Sequence, residues 1–419
     1  MKLAVIGGGS TYTPELIDGL VTMATSVTVD EIALMDTDAD RLGIIAAFAR
    51  RMVAAAGSRA VITATTDLTA AVTGAAAVLL QLRVGGQSTR LSDETFPQAC
   101  GCIGQETTGA GGFAKALRTV PVVLDIAERV RAIAGDQTWI VDFTNPVGIV
   151  TRSLLDAGHR AVGLCNVAIN FERNFAELLQ VEPERVQLKH VGLNHLSWET
   201  AVYVDGVDRL PELLSDRTEE LAAKFRSTPE HLLLQGAVPS YYLHYFYEHD
   251  EVVRQQATEP ARAEVVMEVE QRLLSIYRDE TVTTKPLELQ QRGGRYYSLA
   301  AINLVSSLLE DTRDVQVVNV RNNGALPFLP DEAVIEAASV IGSDGPVPLQ
   351  IGRVDRSLEG LIAHVSAYEE LAVEAALRGG RERVRKALLA HPLVGQYRLA
   401  DELTDRLLAQ NAHFLPWAR

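Results

Sequence analysis

The feature that most constrains this chain is its first twenty residues. Lys2–Ile6 is a short apolar run, Gly7-Gly8-Gly9-Ser10 breaks it, and Thr13-Pro14 reopens regular structure. Leu16, Ile17 and Leu20 then recur at helical spacing, with Thr13 placed as an N-cap and Pro14 in the first turn. A buried strand, a glycine-rich turn and a capped helix bring backbone N–H groups and a helix N-terminus to one point, which suits a pyrophosphate. Gly7 and Gly9 fill the first two positions of G-x-G-x-x-G, whereas the third is Tyr12. Ser10 and Thr11 complete the turn. Asp36 ends the next strand, Ile32–Met35, where an acidic side chain can bond an adenine-ribose hydroxyl and would repel a 2′-phosphate. Gly7, Gly9, Ser10, Thr11 and Asp36 are therefore the candidate cofactor contacts, and NAD is the expected dinucleotide. The competing reading is a tight turn in an α/β domain that binds no nucleotide.

The alternation continues. Strands are expected at Ala60–Ala64, Ala76–Leu82, Thr138–Phe143 and Ala161–Cys165, with helices at about Ala39–Ala56 and Ala114–Ile133. Such alternation implies a parallel sheet covered on both faces, a Rossmann-type domain over residues 1–166. After Cys165 the pattern changes. A helix at Ile169–Leu179 and a strand entering Gly192-Leu193-Asn194-His195 are followed by a hairpin-like Val-Asp-Gly-Val. Helices then dominate at Arg262–Tyr277, Ser298–Leu309, Leu358–Leu377 and Ala400–Ala412, interrupted by an extended Val315–Val320. Residues 167–419 thus read as a mixed, mostly helical α+β domain, with no Pro/Gly/Ser linker before it.

Composition narrows the partners. The formal net charge of −15 argues against nucleic acid and anionic membranes, and any anionic substrate would need a local arginine pocket. No apolar run reaches the ~18 residues of a membrane span, and the N-terminal run is too short for a signal peptide. A cytoplasmic protein is expected. Cys100, Cys102 and Cys165 cannot form a disulfide framework.

Several segments carry residues suited to chemistry. Cys165-Asn166 and His195 lie at strand ends, where a thiolate and an imidazole could share one divalent metal. Taken on these residues alone, a buried thiol and a hydrogen-bonded core histidine is the favoured reading. Pro239–Tyr247 is rich in aromatics, with Tyr242, Tyr245 and Phe246 on one helical face. They fit a core-facing helix, or a tyrosine base with its pKa lowered by a nearby cation. Gly104–Gly112 reads as a flexible glycine-rich loop before a helix, and Asn145-Pro146 falls at the carboxyl edge of the sheet, where ligands bind.

Taken together, these segments resemble glycoside hydrolase family four, above all its 6-phospho-β-glucosidases. The resemblance runs almost end to end. It rests on VIGGGSTYTPELIDGL (5–20), GQETTGAGG (104–112), Asn145-Pro146 and Cys165-Asn166. It continues through GLNHLSW (192–198), Pro239–Tyr247, RGGRYYS (292–298) and Asn322-Asn323-Gly324.

The resemblance implies a lactate/malate-dehydrogenase-like fold, NAD, a divalent metal such as Mn²⁺, and a homodimer or homotetramer. By the family's pattern Cys165 and His195 hold the metal and Tyr242 is the base. Arg90 (in TRLSDE) and Arg262 (in ARAEVV) bind phosphate, with Asn145 and Asn166 beside the sugar. The substrate implied is a phosphorylated disaccharide or β-glucoside. It would be oxidised at C3, deprotonated at C2, freed of its aglycone, hydrated and reduced again, outside the two-carboxylate scheme of most glycosidases. Two residues depart from the pattern. Asn166 stands where α-acting members carry Asp, which favours the β-acting branch, and Ala168 replaces a proline. A lactate- or malate-type dehydrogenase shares the cofactor domain but needs a different catalytic set, and a silent NAD-binding protein would lose the chemical residues. Within the family, a non-phosphorylated glycoside or uronide is the remaining alternative.

Overall fold

Leu3, Ala4, Val5 and Ile6 are all buried, as expected of a strand covered on both faces of a parallel sheet. In the computed structural model, which describes residues 1–22, 28–292 and 296–418, they form β1 (Lys2–Ile6). On one side lie β2 (Glu31–Met35) and β3 (Val61–Thr65); on the other lie β4 (Ala75–Leu80), β5 (Trp139–Asp142) and β6 (Ala161–Gly163). These six run parallel in the order β3-β2-β1-β4-β5-β6. That is the order of a dinucleotide-binding sheet, whose ligand crevice opens where the order reverses, between β1 and β4. Strand ends differ from the sequence reading by one or two residues, so Cys165 lies just beyond β6 and not within it.

The second sheet is antiparallel. β7 (Val186–Leu193) and β8 (Leu196–Val204) form a hairpin turning on Asn194-His195, extended by β9 (Val207–Asp208) and β10 (Val238–Pro239). Its own core gathers Phe171, Phe175 and Phe225, with ring centroids 4.6–6.2 Å apart. Beyond it, β11 (Asp314–Arg321), β12 (Val334–Gly342) and β13 (Gly345–Pro348) return to the first sheet, β11 pairing antiparallel with β6. Residues 314–348 therefore extend a sheet begun at residue 2, across the division drawn at 166/167. The mixed architecture expected for the second half is present, with helices at Arg262–Arg278, Tyr297–Glu310, Arg356–Arg378 and Tyr397–Asn411. β12 and β13 were not anticipated: VIEAASVIG mixes small residues with one glutamate and shows little alternation.

Two local expectations are corrected. Gly104–Gly112 is not a flexible loop leading to a helix at Ala114, because the helix begins at Gly109 and runs to Ala134. A Cβ on Gly111 would overlap the Asp93 and Gln105 carbonyls, and one on Gly112 would lie 2.5 Å from the Thr107 carbonyl carbon. These glycines permit close packing. Thr13 does not cap its helix: it is the first helical residue, its hydroxyl donating to the Gly8 carbonyl (3.0 Å) and accepting from Gln81 Nε2 (2.7 Å). It ties the glycine turn to the end of β4.

The joint between the parallel and antiparallel parts of the sheet is tight. A Cβ on Gly163 would overlap Thr151 Oγ1 and lie 2.8 Å from Val147 Cγ1 and 2.9 Å from Asn319 Cβ. Gly163→Ala is expected to cost about 1–3 kcal/mol through overpacking, read as a lower urea midpoint with an unchanged slope.

Candidate active site

The crevice predicted by the strand order is a single cleft of about 1360 Å³. Gly7, Gly9, Ser10 and Asp36 line one end, and Arg90, Asn145, Asn166, Tyr242 and Arg262 line the rest. Gly7 has φ +89° and its Cβ would meet the Gln81 carbonyl oxygen at 2.6 Å. Gly9 is held differently: its N–H donates to Asp36 Oδ2 (2.9 Å), and a Cβ there would lie 2.8 Å from that oxygen. The other Asp36 oxygen accepts from Asp38 N (3.1 Å). One carboxylate thus shapes the turn while facing the cleft. Tyr12, where the motif has its third glycine, stands edge-on to Tyr297 (6.0 Å) under the Arg292 guanidinium (5.7 Å).

Thr11 is buried and does not line the cleft. Its hydroxyl donates to Glu270 Oε1 (3.0 Å), which also accepts from Gln87 Nε2 (3.0 Å) and Arg292 Nε (3.2 Å), while Glu270 Oε2 accepts from Arg41 (2.9 Å). Glu270 pins the glycine turn to the Arg262–Arg278 helix. It escaped the sequence reading because nothing local marks it. Arg292 belongs to RGGRYYS, whose Gly293, Gly294 and Arg295 lie outside the described residues.

At the other end, His195 has φ +61° in its hairpin turn, and its ring stacks on Tyr242 at 3.6 Å and 10°. Its Nδ1 is 3.1 Å from Thr107 Oγ1, which leaves Nε2 as the nitrogen free of that contact. Burial holds the imidazole down to about 4, and neutral imidazole is the metal-binding form. Cys165 is buried and close enough to Asn194 and Tyr242 to interact electrostatically with both. Burial raises its thiol, as does Glu336 nearby. Cys165 and His195 therefore converge about Tyr242. Among the described residues no three His, Cys, Asp or Glu side chains cluster as a metal site.

Tyr242 itself departs from expectation. It lies in a 3₁₀ turn, Tyr241–Leu243, before a short helix at His244–Tyr247, not in one continuous helix. Its phenol is raised, not lowered: burial is the largest cause, with Cys165 adding to it and Arg90 opposing. Tyr245 and Phe246 pack into hydrophobic clusters, as a core-facing reading requires.

Arg90 contacts Glu94 (2.7 Å) and Glu106 (3.1 Å) through Nε. Glu106, fully enclosed, also pairs with Arg83 and with Lys115, which lies 2.6 Å away. Arg262 donates to the Gln291 carbonyl (2.8 Å), and its pKa is lowered by burial and then by Arg90. Two guanidinium groups that repel one another across a cleft make a place for an anion. Asn145 follows β5 through a cis bond to Pro146, and its buried amide oxygen has no partner among the described residues. No described helix is long and apolar enough to cross a membrane.

A family model described as family 4 glycosyl hydrolase matches residues 2–181, and its C-terminal domain model matches 190–394. The chain belongs to family 4 of the glycosyl hydrolases. The chain is 37% identical over 424 residues to 6-phospho-beta-glucosidase BglT of Thermotoga maritima, covering 99% of each chain. Maltose-6′-phosphate glucosidase of Bacillus subtilis, also matched over 99% of this chain and 96% of its own, is 26% identical. A solved structure of the Thermotoga maritima 6-phospho-beta-glucosidase, with manganese, NAD⁺ and glucose-6-phosphate, superimposes with a TM-score of 0.93 at 36% identity over 99% of both chains. Malate dehydrogenase of Salinibacter ruber shares the fold (TM-score 0.56, 15% identity, 91% of this chain and 99% of its own). The family resemblance and the dehydrogenase-like fold expected from sequence are thus borne out.

The Glu270 hub predicts an acid-sensitive turn. Its carboxyl is held down to about 2, by Arg292 and then Arg41 against an opposing cost of burial. A carboxylate depressed on folding adds stability above its unfolded pKa, about 4.3, and loses it as pH falls toward the folded value. Wild type is therefore expected to exceed Glu270→Gln in urea stability at pH 6, with the gap narrowing as pH falls below about 4.3.

Proposed function

We propose that the chain is a 6-phospho-β-glucosidase that uses NAD and a divalent cation such as Mn²⁺. The observation that carries this reading is Tyr242, which lines the cleft that also holds the glycine turn and two arginines, with its ring stacked on His195 beside Cys165 just behind the cleft wall. The residues fit both groups. Gly7 and Gly9, where a Cβ would collide with Gln81 and Asp36, let the turn close tightly beside the cleft, and the acidic Asp36 suits an unphosphorylated ribose. One thiol and one neutral imidazole, with sugar oxygens and water to complete the set, make a donor group for a divalent metal. When bound, NAD would supply a reversible hydride acceptor at C3 of the sugar, and the cation a Lewis acid for the C3 oxygen.

The chain's own residues do the rest. Arg90 and Arg262 hold the 6-phosphate, and Asn145 and Asn166 offer amide groups to sugar hydroxyls. Tyr242 takes the C2 proton, which a neighbouring carbonyl acidifies, and the C1–O bond breaks as the C1–C2 double bond forms. Water then adds its hydroxyl to C1 while its proton goes to the aglycone oxygen, and Tyr242, its proton exchanged with solvent, returns one to C2. A phenol raised by burial needs a nearby positive charge to ionise, which Arg90, already opposing the rise, and a cation held by Cys165 and His195 would supply. Asn166 has no acidic proton for a leaving group, which favours the β-acting branch, as does the higher identity to the Thermotoga maritima enzyme.

With p-nitrophenyl β-glucoside 6-phosphate, nitrophenol release is expected only when NAD⁺ and Mn²⁺ are both present, and far more slowly from the α or unphosphorylated analogue. Release independent of both, or stoichiometric NADH accumulation, would reject the reading. Tyr242→Phe should lower kcat by roughly 10²–10⁴, the usual worth of a positioned general base; unchanged kcat would remove Tyr242 from that role.

A further inference from the structure

Behind the Cys165–His195 pair lies a buried polar chain that the proposed chemistry does not use. His190 sits between two carboxylates, Nδ1 2.6 Å from Glu199 Oε1 and Nε2 3.0 Å from Glu336 Oε1. Glu336 Oε2 accepts from Asn194 Nδ2 (3.0 Å) and Asn319 Nδ2 (3.1 Å). Asn194 immediately precedes His195, and its side chain also acts on the Cys165 thiol, holding it down against burial. Glu199, His190 and Glu336 are all buried. β7, β8 and β12, which carry them, thus meet directly behind the pair.

His190 is pushed up to about 10 by Glu199 and Glu336 against the cost of burial, and burial in turn raises the Glu199 carboxyl. Glu369, on the Arg356–Arg378 helix, is raised to about 8 by burial and stays protonated at neutral pH, with Arg152 opposing that rise. Glu336 is held below the usual carboxylate range by His190 and Asn194 against the cost of its burial, and it is felt by both Cys165 and His195. Lys115, which lines the cleft, also acts on His195, but its amino group is bonded to Glu106. A buried uncompensated charge is costly without a counter-ion. Both Glu336 oxygens are engaged by neighbouring side chains, so it acts from outside the ligand set.

We infer that Glu336, acting through Asn194, is a positioning residue that orients Cys165 and supplies the counter-charge for a divalent cation held by Cys165 and His195. The inference rests on the cation site proposed above. Outer partners of this kind are worth ~10–100-fold in metal affinity. Thr107, on His195 Nδ1, orients the other ligand.

The test is Mn²⁺ titrated into full-length protein saturated with NAD⁺, with free Mn²⁺ read by electron paramagnetic resonance at fixed pH. Glu336→Gln is expected to raise the Mn²⁺ Kd ~10–100-fold, with NAD⁺ affinity by fluorescence unchanged. Asn194→Leu, which keeps the charge but removes the bridging amide, should weaken Mn²⁺ in the same direction and carries the test if Glu336→Gln does not fold. Unchanged Mn²⁺ affinity in the folded variant, or parallel losses of Mn²⁺ and NAD⁺ affinity, would overturn the inference. Cys165→Ala and His195→Ala separate the two proposals. If they bind Mn²⁺ as wild type does, the cation site itself fails. If they lose it while Glu336→Gln and Asn194→Leu retain it, only the role of Glu336 fails.

Discussion

The turn after β1 leaves no room for a Cβ, and the architecture around the cleft is built on that close approach. Gly7 passes within a side chain's width of the end of β4, and Gly9 closes onto Asp36 at the end of β2. The N-terminus of the Thr13–Thr22 helix is thereby brought to the switch point of the sheet, which is where an anionic ligand is best held. Glu270 reaches this turn from the second half of the chain and gathers Thr11, Gln87, Arg41 and Arg292 onto one carboxylate. The turn is thus fixed from both halves of the sequence, and the substrate end of the cleft is fixed relative to it.

Charge in the cleft is arranged for position more than for stability. Glu106 holds Arg83, Arg90 and Lys115 together, and Asp93 pairs with Arg118 in full burial. Buried pairs of this kind roughly break even against their desolvation, whereas removing one partner leaves a costly orphan. Their effect is to hold cations at set points in a chain whose overall charge is −15. Arg90, one of the two arginines proposed to meet an anionic substrate, is held in this way by Glu94 and Glu106. The same economy recurs behind Cys165, where Glu336 and Glu199 share His190.

Much of this was legible in sequence because it depends on local rules. The strand–turn–helix opening, the position of Asp36 and the alternation over residues 1–166 follow from periodicity and glycine placement, and the motif set pointed to the family. What escaped depends on contacts between distant segments. Glu336 sits in an apolar strand whose small residues conceal the period; a lone acid in VIEAASVIG was the available signal. Glu270 lies within an ordinary amphipathic helix. Gly111 and Gly112 suggested flexibility, but their carbonyl neighbours at Asp93, Gln105 and Thr107 make them packing residues. Tyr242 was singled out by family pattern alone; its stacking on His195 joins the Tyr241–Leu243 turn to the β7–β8 hairpin and has no signature in spacing.

The central claim is that Tyr242 exchanges a proton at C2 of the sugar while the C1–O bond is broken and remade. Running the hydrolysis of p-nitrophenyl β-glucoside 6-phosphate in D₂O and reading the glucose 6-phosphate product by NMR tests this most directly. The account predicts one deuterium at C2 in each product molecule. Full turnover with protium retained at C2 would contradict it.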